Sequence, residues 1–377
     1  MKLAQSKWQA HCGWHTLRDD GAVEPNLVLL FAGPRTLDDG MRFDELRRRY
    51  PSAHIVGCTT SGEIIGGEVD DGTVAATAVE FKSTTVHVAK TFIPSIAEDS
   101  AAAGRRLGAM LPKPGLRAIF LLSDGTRVNG SELVRGLRAT LGGDVIITGG
   151  LAGDGADFGT TRVGADANPE PGNIVAIGFY GAALTVGFGS FGGWDAVGPN
   201  RIITRATGNV LYEINGESAL TLYKKYLGEA AAMLPASALL FPLRVFPQGR
   251  TEDEGIVRTV IGIKDEEDAM IFAGDVPEGS ACQLMLGDFD HLVAGAGRAA
   301  MQAMQPDCGL AILVSCVGRK LLLGQRVAEE VDAVTDVLGE SCGVTGFYSY
   351  GEIAPHGESA FCDLHNQTMT ITTFAER

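Results

Sequence analysis

Residues 54–64 read HIVGCTTSGEI: an apolar run that closes on Cys58, three hydroxyl residues, a glycine and an acid. Related phrases return as VIITGGLAGDG from Val145 and GVTGFYSYGEIAP from Gly343. Each follows a strand and a helical segment. Upstream of the first lie NLVLLFAGPR (from Asn26) and FDELRRRY. Upstream of the second lie RAIFLLSDGTR (from Arg117) and SELVRGLRATL, and upstream of the third LAILVSCVGR (from Leu310) and AEEVDAVTDVLG. The second strand starts 27 positions after the first in two copies, from Val28 to Ile55 and from Ile119 to Ile146. Self-similarity at this scale marks a repeated supersecondary unit. The reading is an α/β chain of strand-helix-strand units, each followed by a glycine-rich acidic loop and a strand pair. Parallel strands in such a unit end on one edge of the sheet, where ligands of α/β sheets bind. The turns Ser61-Gly62-Glu63, Ala152-Gly153-Asp154 and Tyr350-Gly351-Glu352 are therefore expected to converge on one pocket. A plain turn signal, glycine for positive φ and an acid to solvate it, is the competing reading.

The region between the second and third copies differs. NVLYEINGESALTLYKKYLG, from Asn209, carries an Asn215-Gly216 hairpin signal and then apolar residues at helical spacing. Four β segments read as a meander, and a helix from Phe289 to Met304 closes the region. A boundary near Gly198-Pro199-Asn200 gives two packed mixed-sheet domains, residues 1–198 and 199–377.

Composition narrows the function classes. The 377 residues hold 31 Lys and Arg against 46 Asp and Glu, a net charge of −15, with 50 Gly and 45% apolar residues. This balance repels nucleic acid and anionic lipid, so neither is an expected partner. Ile174 to Trp194 carries no charge and has the length of a membrane span, but its six glycines and the break at Gly181 read as a buried β-hairpin. The N-terminus has no apolar signal-peptide core, which points to the cytoplasm. Seven cysteines without a regular spacing read as reduced, mostly buried thiols.

The motifs HIVGCTTSGEI, GLAGDGADF, NVLYEINGESALTLYKKYLG, VSCVGR, GFYSYGEIAP and HNQTMTITTF resemble the FIST family, a bacterial sensory module with an N-terminal and a C-terminal domain. The resemblance runs from about Asn26 to Phe374. It implies a small-ligand sensor in signal transduction, with amino acids among the proposed ligands. Some stand-alone members are haem-binding nitric oxide sensors that regulate a histidine kinase, as in a two-component system, or a cyclic-di-GMP enzyme. No output domain is visible in this chain, so such a partner would act in trans.

The residues expected to hold a ligand are Cys58, Thr59, Thr60, Ser61, Glu63, Asp154, Tyr350 and Glu352 at the turns. Arg127 and Arg319, on loops after parallel strands, are candidates for an anionic group. An enzyme would use Cys58 as nucleophile, yet His54 on the same extended strand lies about 13 Å away, beyond a thiolate-imidazole bond. His11 and His15 have a helical metal spacing, but Gly13 and Trp14 favour a strand there. Haem leaves no sequence mark without CxxCH. That reading rests on the resemblance, with His356 as axial candidate, while His365 reads as a structural imidazole.

Overall fold

The computed structural model describes residues 1–234, 236–247, 255–355 and 362–377. The first unit comprises β1 (Lys2–Gln9), β2 (Gly13–Asp19), β3 (Leu27–Ala32), helix α1 (Met41–Arg49), β4 (His54–Thr59), β5 (Glu63–Ile65), β6 (Glu68–Asp70) and β7 (Val74–Glu80). The second comprises β8 (Thr85–Phe92), α2 (Ser100–Met110), β9 (Leu116–Ser123), α3 (Gly130–Leu141), β10 (Ile146–Leu151), β11 (Val163–Ala165) and β12 (Asn173–Tyr180). The third opens with β13 (Leu184–Phe191) and is interrupted by an insert.

The insert holds β14 (Trp194–Thr207), β15 (Val210–Ile214), β16 (Glu217–Ser218), α4 (Ala219–Leu227), β17 (Leu243–Phe246), β18 (Ile256–Arg258), β19 (Val260–Lys264), β20 (Ala269–Phe272) and β21 (Ala281–Gly287). The third unit resumes with α5 (Phe289–Ala303), β22 (Leu310–Cys316), α6 (Val317–Leu323), α7 (Val327–Leu338), β23 (Gly343–Ser349), β24 (Gly351–Pro355), β25 (Cys362–His365) and β26 (Met369–Glu376).

In every unit the two strands around the helix are parallel (β3/β4, β9/β10, β22/β23) and the last long strand returns antiparallel beside the first of them. A lead strand, β1, β8 or β13, completes each sheet. The short strand after each turn crosses into another unit. β5 pairs with β23, β11 with β4 and β24 with β10. The three exchanges close a ring.

Side-chain alternation explains the layers. Leu27, Leu29 and Phe31 point into a central core shared with Phe120, Leu122, Ile312, Val314 and Phe347 of the other units. Val28, Leu30 and Ala32 point outward, with Phe43 and Leu46 of α1. Strands buried on both faces need an unbroken apolar run, which is why the period-2 signal is absent from LVLLFA. The insert has its own core around Leu211, Leu220, Tyr223 and Phe272.

Two expectations change. Tyr180 and Leu184 do not begin and end a hairpin: β12 pairs with β8 and β9, whereas β13 pairs with β26 in the third sheet. Gly181, at φ +132°, turns the chain from one unit to the next. The glycines of β13 serve helix packing, since a Cβ on Gly187 or Gly189 would run into the carbonyl oxygens of Ala303 and Ala299 in α5. Among the described residues, no helix is long and apolar enough to cross a membrane. Cys308 and Cys342, expected as thiols, are joined in a disulfide across the loops that lead into β22 and β23. Their loops start neighbouring parallel strands, which brings the two Cα atoms to 5.3 Å. Gly198 lies inside β14, a strand bulged between Val197 and Arg201. The Asn215-Gly216 signal forms the β15/β16 turn with φ of 53° and 80°.

Candidate functional site

The three glycine-acid turns meet. Ser61 N–H donates to the Tyr348 carbonyl at 2.8 Å, and Tyr348 N–H to the Gly62 carbonyl at 2.8 Å. Gly153 N–H donates to Thr59 O at 3.0 Å, and Tyr350 N–H to Leu151 O at 3.1 Å. Each turn is thus fastened to a different unit, following the strand exchange. Side chains add to the knot. Ser61 Oγ donates to Gly155 O at 2.9 Å, and the Tyr350 hydroxyl donates to Asp154 and accepts from Phe158 N–H at 3.1 Å. The Tyr350 ring stacks on Phe158 with centroids 4.6 Å apart.

The acids of the turns are buried and answered by protein donors. Glu63 accepts from the Thr60 hydroxyl, and from Thr73 N–H and Oγ1 at 2.8 Å each. Glu352 accepts from Ser349 Oγ at 2.8 Å and from Thr368 N–H and Oγ1 at 3.1 and 2.9 Å. Asp154 accepts from Gly159 and Thr160 N–H at 2.9 and 2.6 Å, besides Tyr350. Burial outweighs these donors, pushing Glu63 up to about 7 and Glu352 to about 8. Thr59 Oγ1 accepts from Arg162 N–H at 2.9 Å. Cys58 is buried in the central core, where burial and then the Glu63 charge push its thiol well above the ordinary range. A nucleophile needs the opposite shift.

The two arginines part company. Arg127 is half-buried, with Nη1 3.4 Å from the Pro94 carbonyl. Arg319 is fully enclosed: Nε and Nη2 reach Glu330 at 3.0 and 2.9 Å, Nη2 reaches Leu292 O at 2.9 Å and Nη1 reaches Gly192 O. The anion expected of a ligand is therefore internal, because the first turn of α6 points Arg319 inward. Its neighbour Lys320 reaches the first turn instead. Lys320 Nζ donates to Ser61 O at 2.8 Å, pairs with Asp71 and sits 5.5 Å over the Tyr348 ring. His356 lies outside the described residues.

Beside the turns, a cavity of 260 Å³ opens between the insert and the third unit. Trp194, Arg244, Val257 and Met285 line it from the insert, and Ser190, Gln302, Pro355, His365 and Thr368 from the body. Thr368 is the link, since its N–H and hydroxyl are held by Glu352 of the third turn. His365 Nε2 donates to Ala354 O at 3.1 Å. The site does not suit haem: the volume is below the range of about 300–1,000 Å³ for drug-sized ligands, short of a macrocycle, and that imidazole nitrogen is engaged. Trp194, Arg244 and Gln302 escaped the sequence reading, because none stands in a motif of chemistry-bearing spacing. His365 and Thr368 carried a signal as the ends of HNQT.

The model of the FIST N domain matches residues 26–217 and that of the FIST C domain residues 219–355. No curated protein matches the chain. Among solved structures, a cyanuric acid hydrolase from A. caulinodans is similar at 12% identity over 78% of this chain and 99% of that one, with a TM-score of 0.19. A likeness this slight carries no argument about function.

Proposed function

We infer the function from the premise that this chain belongs to the FIST family, whose domains sense small ligands in signal transduction. The reading is that it binds a small molecule in the 260 Å³ cavity and reports the bound state to a separate signalling protein. The observation that carries it is that the cavity is walled by two modules at once, the insert through Trp194, Arg244, Val257 and Met285 and the body through His365 and Thr368. A ligand filling that space binds both modules and favours the conformation in which they close on it.

The turns then act behind the wall rather than in it. Thr368 is held by Glu352, the third turn is tied to the second through Tyr350 and Asp154, and Ser61 ties the first turn to the second. A displacement of Thr368 is passed to a knot that joins all three units. Thr59, Thr60, Glu63 and Cys58 support this knot, and Arg127 faces the second unit's loop. A histidine kinase or a cyclic-di-GMP enzyme in the cytoplasm is the partner class that the family suggests.

Thermal unfolding across a panel of amino acids, amides and nucleotides tests the reading, because a ligand selective for the native state raises the midpoint by mass action. A hit is expected to lose its effect in Val257→Trp, which fills the cavity. Shifts that are equal in Val257→Trp, or turnover of the hit into product, would replace this reading.

A further inference from the structure

A second recess, sharing no residue with the cavity above, lies beside the pairing of β5 with β23. This cleft of 710 Å³ runs between the β1/β2 hairpin and the β5–β6 turn on one side and α7 with the loop into β23 on the other. Glu68, Asp332, Asp336 and Glu340 put four carboxylates on its wall. Arg18 is the one cation among the described residues there, and Asp20 already holds it, at 2.9 Å from Nε and 3.4 Å from Nη2.

The acids of α7 divide by face. Glu330 is buried against Arg319, and Glu329 is paired with Arg326 at 2.7 Å. Asp332 and Asp336 stand one turn apart, about 6 Å along the axis, and so share a face. Both are exposed, and neither they nor Glu340 have an ion pair among the described residues. Unanswered carboxylates along a recess concentrate cations in it. The floor supplies an observation of another kind. Gln5 is 2% exposed, and its Nε2 donates to Thr77 Oγ1 at 3.2 Å and to Val344 O at 2.9 Å. Its Oε1 accepts from no group among the described residues and turns to Gly343 on the cleft wall, 3.4 Å from where a Cβ would stand. Unpartnered yet not sealed from solvent, that oxygen is open to the cleft. A carbonyl oxygen left so on a buried side chain calls for a donor.

We propose that this cleft binds a linear polyamine, an alkyl chain carrying two or more ammonium groups. The ammonium groups pair with Asp332, Asp336 and Glu340 along the rim, and a terminal one donates to Gln5 Oε1 at the floor. An ammonium has three N–H donors and no acceptor, which suits a wall of carboxylates and an open carbonyl. The turn between Asp332 and Asp336 matches the nitrogen spacing of an extended four-carbon diamine. Leu17 and Val344 give the methylenes apolar contact between the charges. A divalent metal fits less well, because it gathers its oxygen ligands to about 2–2.6 Å. Among the described residues, no three His, Cys, Asp or Glu side chains are grouped to hold one. The carboxylates are strung out along the cleft, as an extended polycation requires.

The test is calorimetric titration of the full chain with spermidine at an ionic strength of about 0.15 M, which screens diffuse attraction to a chain of net charge −15. Saturable binding of one spermidine per chain is expected. Asp332→Asn with Asp336→Asn is expected to weaken it at least tenfold, and so is Thr335→Lys, which places an ammonium inside the cleft beside both aspartates. These changes spare the fold, since the aspartates are exposed and the Thr335 hydroxyl bonds only within its own turn. Glu266→Gln with Glu267→Gln removes the same charge from an exposed stretch of the insert and is expected to leave affinity within twofold. Val257→Trp, which fills the other cavity, is expected to leave it unchanged. No saturable binding by the parent, or an equal loss in the aspartate and glutamate pairs, reduces the effect to diffuse attraction and overturns the assignment. Loss in Val257→Trp alone moves the polyamine to the other cavity and overturns it too. Magnesium that binds saturably and excludes spermidine makes the cleft a metal site instead.

Discussion

Glu63 and Glu352 occupy one place in two units. Each follows a hydroxyl residue by three positions and accepts its Oγ at Oε1, and each accepts at Oε2 both the N–H and the hydroxyl of the threonine just before the unit's last strand, Thr73 or Thr368. In the second unit the corner before β12 is held from the other side, by Asp124 Oδ2 accepting from Gly172 N–H at 2.7 Å. The repeat thus preserves a carboxylate clamp on the last strand while changing the residue that supplies it.

A pH dependence follows from the two glutamates. Burial raises both above their unfolded values, to about 7 and about 8, so between roughly pH 4.5 and 8 the folded chain holds protons that the unfolded chain has released. Stability is then highest below the unfolded value and falls as pH rises through the folded one. For Glu63 the fall is of the order of 3 kcal/mol at 1.36 kcal/mol per unit. Urea unfolding of Glu63→Gln at pH 5 and pH 8.5 is expected to show the variant gaining on the parent by about that amount at the higher pH. An equal difference at both values would mean that Glu63 does not titrate in this window.

Arg319 and Glu330 form a fully buried pair, with Tyr348 hydroxyl at 2.6 Å and Ser315 Oγ at 3.2 Å also donating to Glu330. Removing one partner strands a charge, so Arg319→Met is expected to cost about 3–5 kcal/mol. Arg319→Met with Glu330→Leu is expected to recover a good part of it. Chemical denaturation of the two variants checks this, and a loss under 1 kcal/mol in the single variant, roughly what a solvated surface pair gives, contradicts the buried pairing.

The thiols differ in reach. Cys12 is exposed, while Cys58, Cys282, Cys316 and Cys362 are buried, and burial pushes Cys282 up to about 12 and Cys58 well above the ordinary range. Labelling the native chain at pH 8 with a thiol reagent is expected to modify Cys12 rapidly and to leave Cys58 unmodified until the chain is unfolded. Rapid labelling that persists in Cys12→Ser and disappears in Cys58→Ala would restore Cys58 as a reactive group.

Much of the architecture was legible because strand-helix-strand order is local. The runs from Val28 and Ile119, the helices after them and the turns ending in Glu63, Asp154 and Glu352 all stand as read. The strand exchange was not legible, since β5, β11 and β24 are short and their partners are set by which sheet edge is open, not by their own residues. The same limit hid the break at Gly181 and the inward turn of Arg319.

Trp194 offers the most direct view of the cavity. Its ring lines the wall and its Nε1 donates to Gln367 O, which ties it to the corner before β26. The other two tryptophans belong to the first sheet, Trp8 under the Arg42 guanidinium at 4.6 Å and Trp14 donating to Glu45 at 2.7 Å. A ligand that fills the cavity displaces solvent from the Trp194 face and leaves Trp8 and Trp14 as they were. In a Trp8→Phe, Trp14→Phe chain, binding is therefore expected to shift the emission maximum saturably, with the same midpoint as the thermal titration. Trp194→Phe removes the signal and one hydrogen bond to the corner, a cost of about 1 kcal/mol in stability. Emission that stays constant through a saturating thermal titration would place the bound molecule away from this wall.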